Sequence, residues 1–324
     1  MKTQVLDILG RRLRLGIIGG GPDSFIGSIH RGGAMLEGLY DVVAGALSSD
    51  PRRSLTAAAQ LKIPRGYATG AELIAQEAER TDRCDVIAII TPNVSHYELS
   101  KQALESGFHV LCEKPLTMTT AEADELVQLV QRTDCLFCVA YAYSGYPMVR
   151  QARAMVSQGD LGDIRLVQVQ YSQGHLAELT SDEITGNNWH VREESVGHSL
   201  ILGDIGTHAY HLASFVTGME PSHLIADVGS IVPGRKADDT AILITRYVNR
   251  ARGMIWVTQA AAGAEHGLTI KVSGGKGSLE WYQQQPNELV YRPLNQPCQV
   301  LVKGGPGLYA AAGRLSRVTI GHPE

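Results

Sequence analysis

Between residues 13 and 140 the chain alternates two hydrophobic patterns. Continuous apolar runs at 13–18, 42–47, 86–90, 110–112 and 136–140 read as fully buried strands. Helical segments lie between them. Ser95-x-x-Glu98 and Thr119-x-x-Glu122 have capping-box spacing, each opening a helix. The second of these helices carries Ala123, Leu126, Val127 and Val130 at i, i+3, i+4 and i+7, and Gly107 stops the first. Strand, helix, strand with short connections predicts a parallel sheet covered on both faces.

After Tyr143 the pattern changes. A helix is predicted over 147–157, with Gly159 past its end. Segments 164–171, 224–232, 241–247, 253–259, 268–272, 278–282 and 300–302 then alternate apolar and polar positions. Turn signals such as Pro233-Gly234 and Ser273-Gly274-Gly275-Lys276-Gly277 join them. This reads as an antiparallel sheet, so the second domain is α+β. The expected domains are 1–143 and 144–324.

Length agrees with two domains: 324 residues at roughly 150 per domain. Hydrophobic residues at 44% and charged residues at 19% exclude a disordered chain. A net charge of -4 and the lack of a basic cluster exclude a nucleic-acid footprint. No run approaches the ~18 apolar residues of a membrane span. Arg11-Arg12 imitates a twin-Arg export signal, but the apolar run that follows is short and ends in Gly, so a cytoplasmic protein is expected. Cys135-x-x-Cys138 has redox spacing, yet it falls in a strand pattern, so these read as reduced core cysteines. Glycine is in excess: 35 of 324 residues is about 11%, against a usual ~7%. Some of those loops are therefore candidates for binding.

The first strand runs into Gly19-Gly20-Gly21-Pro22-Asp23-Ser24-Phe25-Ile26-Gly27. Strand, glycines, then helix is the dinucleotide-binding order, because bare backbone N–H groups and a helix N-terminus attract a pyrophosphate. Gly19, Gly21, Phe25 and Ile26 are candidate cofactor contacts. Ser24 stands where the third glycine of the fingerprint belongs, and Gly27 comes three residues late. The second strand ends near Ser48, with Arg52 and Arg53 close by and Asp50 slightly late. A small residue beside arginines suits a 2′-phosphate, so the reading leans to NADP through Ser48 and Arg53. The alternative is a solvated turn. Thr91-Pro92-Asn93-x-x-His96 and Glu113-Lys114-Pro115 also sit at strand C-terminal ends, where open α/β sheets bind ligands. Lys114 reads as a buried, charged residue whose pKa desolvation would lower. In the second domain, Asp204 reads as a helix N-terminal residue with His208 one turn on. Three readings stand: an acid/base pair, a cap beside a core histidine, or a metal site with His211.

Together these segments resemble the Gfo/Idh/MocA family of NAD(P)-dependent oxidoreductases. The carriers are the 19–27 loop, Thr91-Pro92-Asn93 with His96, Glu113-Lys114-Pro115, and Asp204 with His208. The resemblance implies an α/β Rossmann domain with a parallel sheet, then an α+β domain with a large, open-faced, mostly antiparallel sheet. It implies a homo-oligomer, dimer or tetramer, joined through that face. It implies a cis Lys114–Pro115 bond and a hydride exchanged between NAD(P) and a secondary alcohol or ketone of a sugar, sugar derivative or cyclitol. Lys114 would lower the hydroxyl pKa, His208 would take its proton, and Asp204 would orient both; no metal is implied. An NAD(P)-binding sensor without catalysis is the alternative. Departures fall around the substrate, for which Tyr143, Trp189 and His190 are the candidates. Relatives run on past this point, and the polar tail from Lys303 has little to pack against, so a shortened C-terminus is expected.

Overall fold

The computed structural model describes residues 4–178, 198–318 and 320. The chain divides into two compact units at Ala140/Tyr141. Among the described residues no helix is long and apolar enough to cross a membrane.

In the first unit a six-stranded parallel sheet has the order β3-β2-β1-β4-β5-β6. Its strands are β1 (Leu13–Gly19), β2 (Tyr40–Ala46), β3 (Arg65–Gly66), β4 (Val86–Ile90), β5 (His109–Cys112) and β6 (Phe137–Val139). The helices are α1 (Gln4–Leu9), α2 (Phe25–Leu36), α3 (Pro51–Gln60), α4 (Gly70–Ala78), α5 (His96–Glu105) and α6 (Thr120–Arg132). Strand order reverses between β1 and β4, which creates a crevice at their C-terminal ends. Ile17, Ile87, Ala88 and Ile89 are fully buried in the central strands. Thr119 forms the expected capping box with Glu122. Ser95 does not: its hydroxyl instead donates to Thr91 Oγ1 and the Pro92 carbonyl, because a 3-10 turn leads into α5.

Right-handed crossovers place α2 and α3 on one face and α4 to α6 on the other. The first face is incompletely covered. A cleft of about 650 Å³ opens over β1, β4, β5 and β6, and of the elements lining it only α2 is a helix. Two expectations fail here for that reason. Leu136 and Cys138 line this cleft and are exposed, so Cys138 is not a core cysteine, whereas Cys135 is half-buried and packs against the core of the other face. Both are free thiols.

The second unit holds an eight-stranded sheet in the order β14-β13-β12-β11-β7-β10-β9-β8. Its strands are β7 (Ile164–Ser172), β8 (Pro221–Gly229), β9 (Thr240–Tyr247), β10 (Arg252–Thr258), β11 (Gly267–Gly274), β12 (Gly277–Tyr282), β13 (Glu288–Pro293) and β14 (Gln299–Val302). Helices α7 (Pro147–Ser157) and α8 (Thr207–Thr217), with the short α9 (Ala310–Gly313), complete the described elements. Met148, Ala152, Leu212 and Val216 of α7 and α8 share a core with inward Val167, Ile270 and Trp281 of the sheet. Outward Leu166, Ile242, Ile244 and Met254 are exposed, so the other face is open. The sheet is mostly antiparallel, as expected, with β7 and β10 running parallel. β8 ends three residues before the expected strand does. The Asp239 carboxylate takes the amides of Ile231 and Val232 at 3.0 and 3.1 Å, which removes them from the ladder.

Candidate active site

In the first unit the glycine loop has the geometry its sequence suggests, with a shifted division of labour. Gly19 (φ 84°) ends β1, and a Cβ there would lie 2.2 Å from the Ile90 carbonyl oxygen. Ser24 is the N-cap of α2: its hydroxyl accepts from Gly27 N at 3.1 Å. Gly27 therefore takes the packing role of the third glycine, since a Cβ there would lie 2.3 Å from Gly20 O. Arg31 reaches back from α2 to donate to that same carbonyl. Gly21, Ser24, Ser48, Arg52 and Arg53 line one cleft of about 450 Å³, which also takes in Asp23. Asp50 is engaged elsewhere: it caps α3 by accepting from Arg53 N at 2.8 Å. Phe25 and Ile26, in the first turn of α2, are exposed. The cradle fits a dinucleotide because side chains are missing where its pyrophosphate must approach backbone.

A Cβ at Gly27 should cost about 1–3 kcal/mol of overpacking against Gly20. We expect Gly27→Ala to weaken nicotinamide-dinucleotide binding about tenfold or more in a fluorescence titration. Gly32→Ala is the control, since open space surrounds that position in the same helix. Equal binding by the two variants would remove the loop from the site.

At the neighbouring strand ends, His96 is fully buried and ties two segments together. Its ring nitrogens lie 2.8 Å from the Pro115 and Thr91 carbonyl oxygens. Burial pushes this imidazole below its usual range, while the two carbonyls pull the other way. Asn93 is buried beside it, and Pro92 caps the turn before α5. Glu113 is also buried. Its Oε1 pairs with His30 Nε2 of α2 at 2.6 Å, and its Oε2 accepts from Lys114 N at 3.1 Å. Burial alone would raise the Glu113 carboxyl, but His30 together with the Lys114 amide and charge outweighs it and holds it below the usual carboxylate range. The Lys114–Pro115 bond is cis. Lys114 itself is half-buried rather than buried, because β5 ends at Cys112 and the chain leaves the sheet there. His30 carried no signal in the sequence: only the return of α2 along the sheet brings it to Glu113.

In the second unit Asp204 is not at a helix N-terminus. The helical run opens earlier, at Leu200, with Ser199 Oγ accepting from Leu202 N at 3.1 Å. Asp238 accepts from Leu200 N at 2.8 Å and from the Ser199 hydroxyl. Leu202–Gly206 then forms a π-turn that leads directly into α8 and carries Asp204. Such turns gather at functional sites because they re-aim side chains within a helix. Asp204 Oδ2 accepts from Gln259 Nε2 at 2.7 Å. The Gln259 Oε1 is buried with no hydrogen-bond partner among the described residues. That orientation costs about 1–3 kcal/mol, which the contact to the carboxylate offsets.

His208 is buried between two aromatic edges, 5.7 Å from Tyr141 and 4.9 Å from Tyr143 by ring centroids. Tyr143 OH meets Tyr171 OH at 2.6 Å. Burial raises both phenols, so they stay protonated as hydroxyl donors at neutral pH. His211 stacks on Tyr141 at 4.3 Å. Among the described residues no group of three or more His, Cys, Asp or Glu is placed to hold a metal ion. Trp189 and His190 lie outside the described residues. The arrangement of the second unit is thus a half-buried acid and a buried imidazole among hydroxyl and amide groups, suited to gripping an alcohol and moving its proton.

Comparison with known proteins agrees with both halves. Residues 13–141 match the profile of an oxidoreductase family with an NAD-binding Rossmann fold, and residues 149–280 match the GFO/IDH/MocA C-terminal domain. The oxidoreductase YfiI of Bacillus subtilis is 36% identical over 98% of this chain and 82% of its own length. An oxidoreductase structure from Sinorhizobium meliloti is 42% identical, with a TM-score of 0.87 over 97% of this chain and 84% of that one. An inositol dehydrogenase homolog from Azotobacter vinelandii, solved with NADH and myo-inositol, is 35% identical, with a TM-score of 0.88 over 97% of this chain and 82% of that one.

Proposed function

Because the chain belongs to the GFO/IDH/MocA oxidoreductase family, we propose that it oxidises a secondary alcohol of a cyclitol, sugar or sugar derivative, or reduces the matching ketone. The observation that carries this reading is the half-buried Asp204 and the buried His208 on one helical run, set among Tyr143, Tyr171 and Gln259. A cluster of preset donors and acceptors is costly to leave unmatched, so it favours a ligand with several hydroxyls. His208 takes the hydroxyl proton, Asp204 orients the ring and the substrate, and the Lys114 ammonium stabilises the developing alkoxide. Bound NAD(P) supplies the nicotinamide that takes up the hydride. The relative solved with NADH and myo-inositol supports the substrate class.

The test is the growth of reduced-nicotinamide absorbance with NAD+ or NADP+ and a panel of polyols led by myo-inositol. Turnover supports the reading. Tight NADH or NADPH binding with no turnover across cyclitols, aldoses and their derivatives would favour a cofactor-binding sensor instead.

We read the cofactor as NADP. Ser48, two residues past the end of β2, lines the cleft with Arg52 and Arg53, and Asp50 is occupied as a helix cap. A guanidinium–phosphate contact contributes about 1.5–3 kcal/mol, so Arg53→Ala should weaken NADPH about tenfold or more and leave NADH nearly unchanged. Tighter binding of NADH than of NADPH by the unaltered protein would overturn this assignment. The open, partly apolar sheet face supports a homo-oligomer, which sedimentation measures directly.

A further inference from the structure

Because β7 and β10 run parallel, their C-terminal ends lie side by side. The register pairs Tyr171 with Val257 and Ser172 with Thr258, and Gln173 N continues it by donating to Thr258 O at 2.8 Å. Gln173 and Gln259 follow as buried neighbours. Gln259 Nε2 donates to Asp204 Oδ2 at 2.7 Å and to Gln173 Oε1 at 3.1 Å. Gln173 Nε2 faces His266 Nδ1 at 2.9 Å and Tyr171 OH at 3.2 Å. Tyr171 OH in turn meets Tyr143 OH.

The order of donors from Asp204 to His266 is forced from one end. A carboxylate only accepts, so the Gln259 atom facing Asp204 is the amide nitrogen. Its two hydrogens go to Asp204 and Gln173, so the Gln173 atom facing it is the oxygen. Gln173 must then turn its nitrogen toward His266 and Tyr171. His266 Nδ1 accepts, which leaves the hydrogen of the neutral ring on Nε2. The Tyr171 oxygen accepts as well, which polarises its own O–H toward Tyr143.

We infer that Asp204 sets the direction of a hydrogen-bond relay through Gln259 and Gln173, and thereby the tautomer of His266 and the donor role of Tyr171 toward Tyr143. Gln259 and Gln173 are positioning residues for Asp204 and for Tyr143, whose ring packs against His208. Their catalytic meaning rests on the roles assigned above to Asp204 and His208; the direction of the relay does not.

The test swaps one group. Gln259→Glu is nearly isosteric; its carboxyl and that of Asp204 share one proton between them at this distance, which leaves Glu with only an acceptor to offer Gln173. Gln173 must then flip, turn its oxygen to His266, and draw the ring hydrogen to Nδ1. Long-range proton–nitrogen spectra of [15N]histidine-labelled full-length protein, with His266 assigned by His266→Gln, report the tautomer. We expect Nε2–H in the unaltered protein and Nδ1–H in Gln259→Glu. A hydrogen on Nδ1 in the unaltered protein, or an unchanged tautomer in Gln259→Glu, would overturn the inference. Should Gln259→Glu not fold, Asp204→Asn serves, because an amide can face Gln259 either way and a single enforced tautomer should be lost; its retention would equally overturn the inference. If instead the tautomer reverses as expected while Asp204→Ala keeps full turnover, the relay stands and the catalytic reading falls.

Discussion

His208→Asn and Lys114→Met should each lower kcat for polyol oxidation by about 10²- to 10⁴-fold, the usual worth of a positioned proton acceptor or charge. His208 is buried between Tyr141 and Tyr143, so Asn keeps a polar group of fitting size in that slot but cannot take a proton. Lys114→Met keeps the length of the side chain and removes only the ammonium. The cis bond, the Glu113–His30 pair and the His96 tie around it involve other atoms and should persist. Nucleotide affinity is therefore expected to hold in both variants, with the loss confined to turnover. Stopped-flow kinetics beside an NADH titration separates the two quantities. Undiminished turnover in either variant would remove that residue from the chemistry, and a parallel loss of NADH binding would mark its role as structural.

A comparably large effect should come from a residue far from any ligand. The Glu77 side chain is fully buried on α4 and accepts from Arg65 at 2.6 and 2.9 Å, from Tyr67 OH at 2.7 Å and from Cys84 N at 3.0 Å. Burial would raise this carboxyl, but those hydrogen bonds outweigh it and hold it below its usual range. Glu77→Gln leaves the Arg65 guanidinium without its buried counter-charge and should destabilise the protein by about 3–5 kcal/mol. The pH dependence has a definite sign. A carboxyl with a depressed folded pKa contributes fully above its unfolded value of about 4.3, and the contribution fades as pH falls through the folded value. Urea unfolding at neutral pH should therefore show the full loss, and the two proteins should converge in acid. Equal stability at neutral pH would show that the cluster contributes no net free energy.

Much of this was legible before any fold was drawn. The strand at 86–90 and the helix at 147–157 lie where the patterns put them, since hydrophobic periodicity and capping are local properties. The glycine loop was legible in kind but not in detail. Whether Ser24 or Gly27 plays the third glycine depends on which of them faces Gly20, and spacing alone does not say. The sequence alone puts Asp204 at a helix start, because acids favour that position. The run opens instead at Leu200, capped by Ser199, whose hydroxyl donates to Asp238, 39 residues away.

By itself, then, the sequence determined most of the succession of elements, though not β3 or β13, together with the two kinds of sheet and the motifs that point to a dinucleotide and an alcohol. Only the tertiary structure decided what surrounds those motifs. The partnership of His30 with Glu113 spans 83 residues, and that of Gln259 with Gln173 spans 86. Such pairs follow from crossover handedness and from the parallel register of β7 on β10. The physical reason is that periodicity records which side of an element meets the core. It carries no record of which distant element arrives there, and hydrogen-bond direction is settled only once both have arrived.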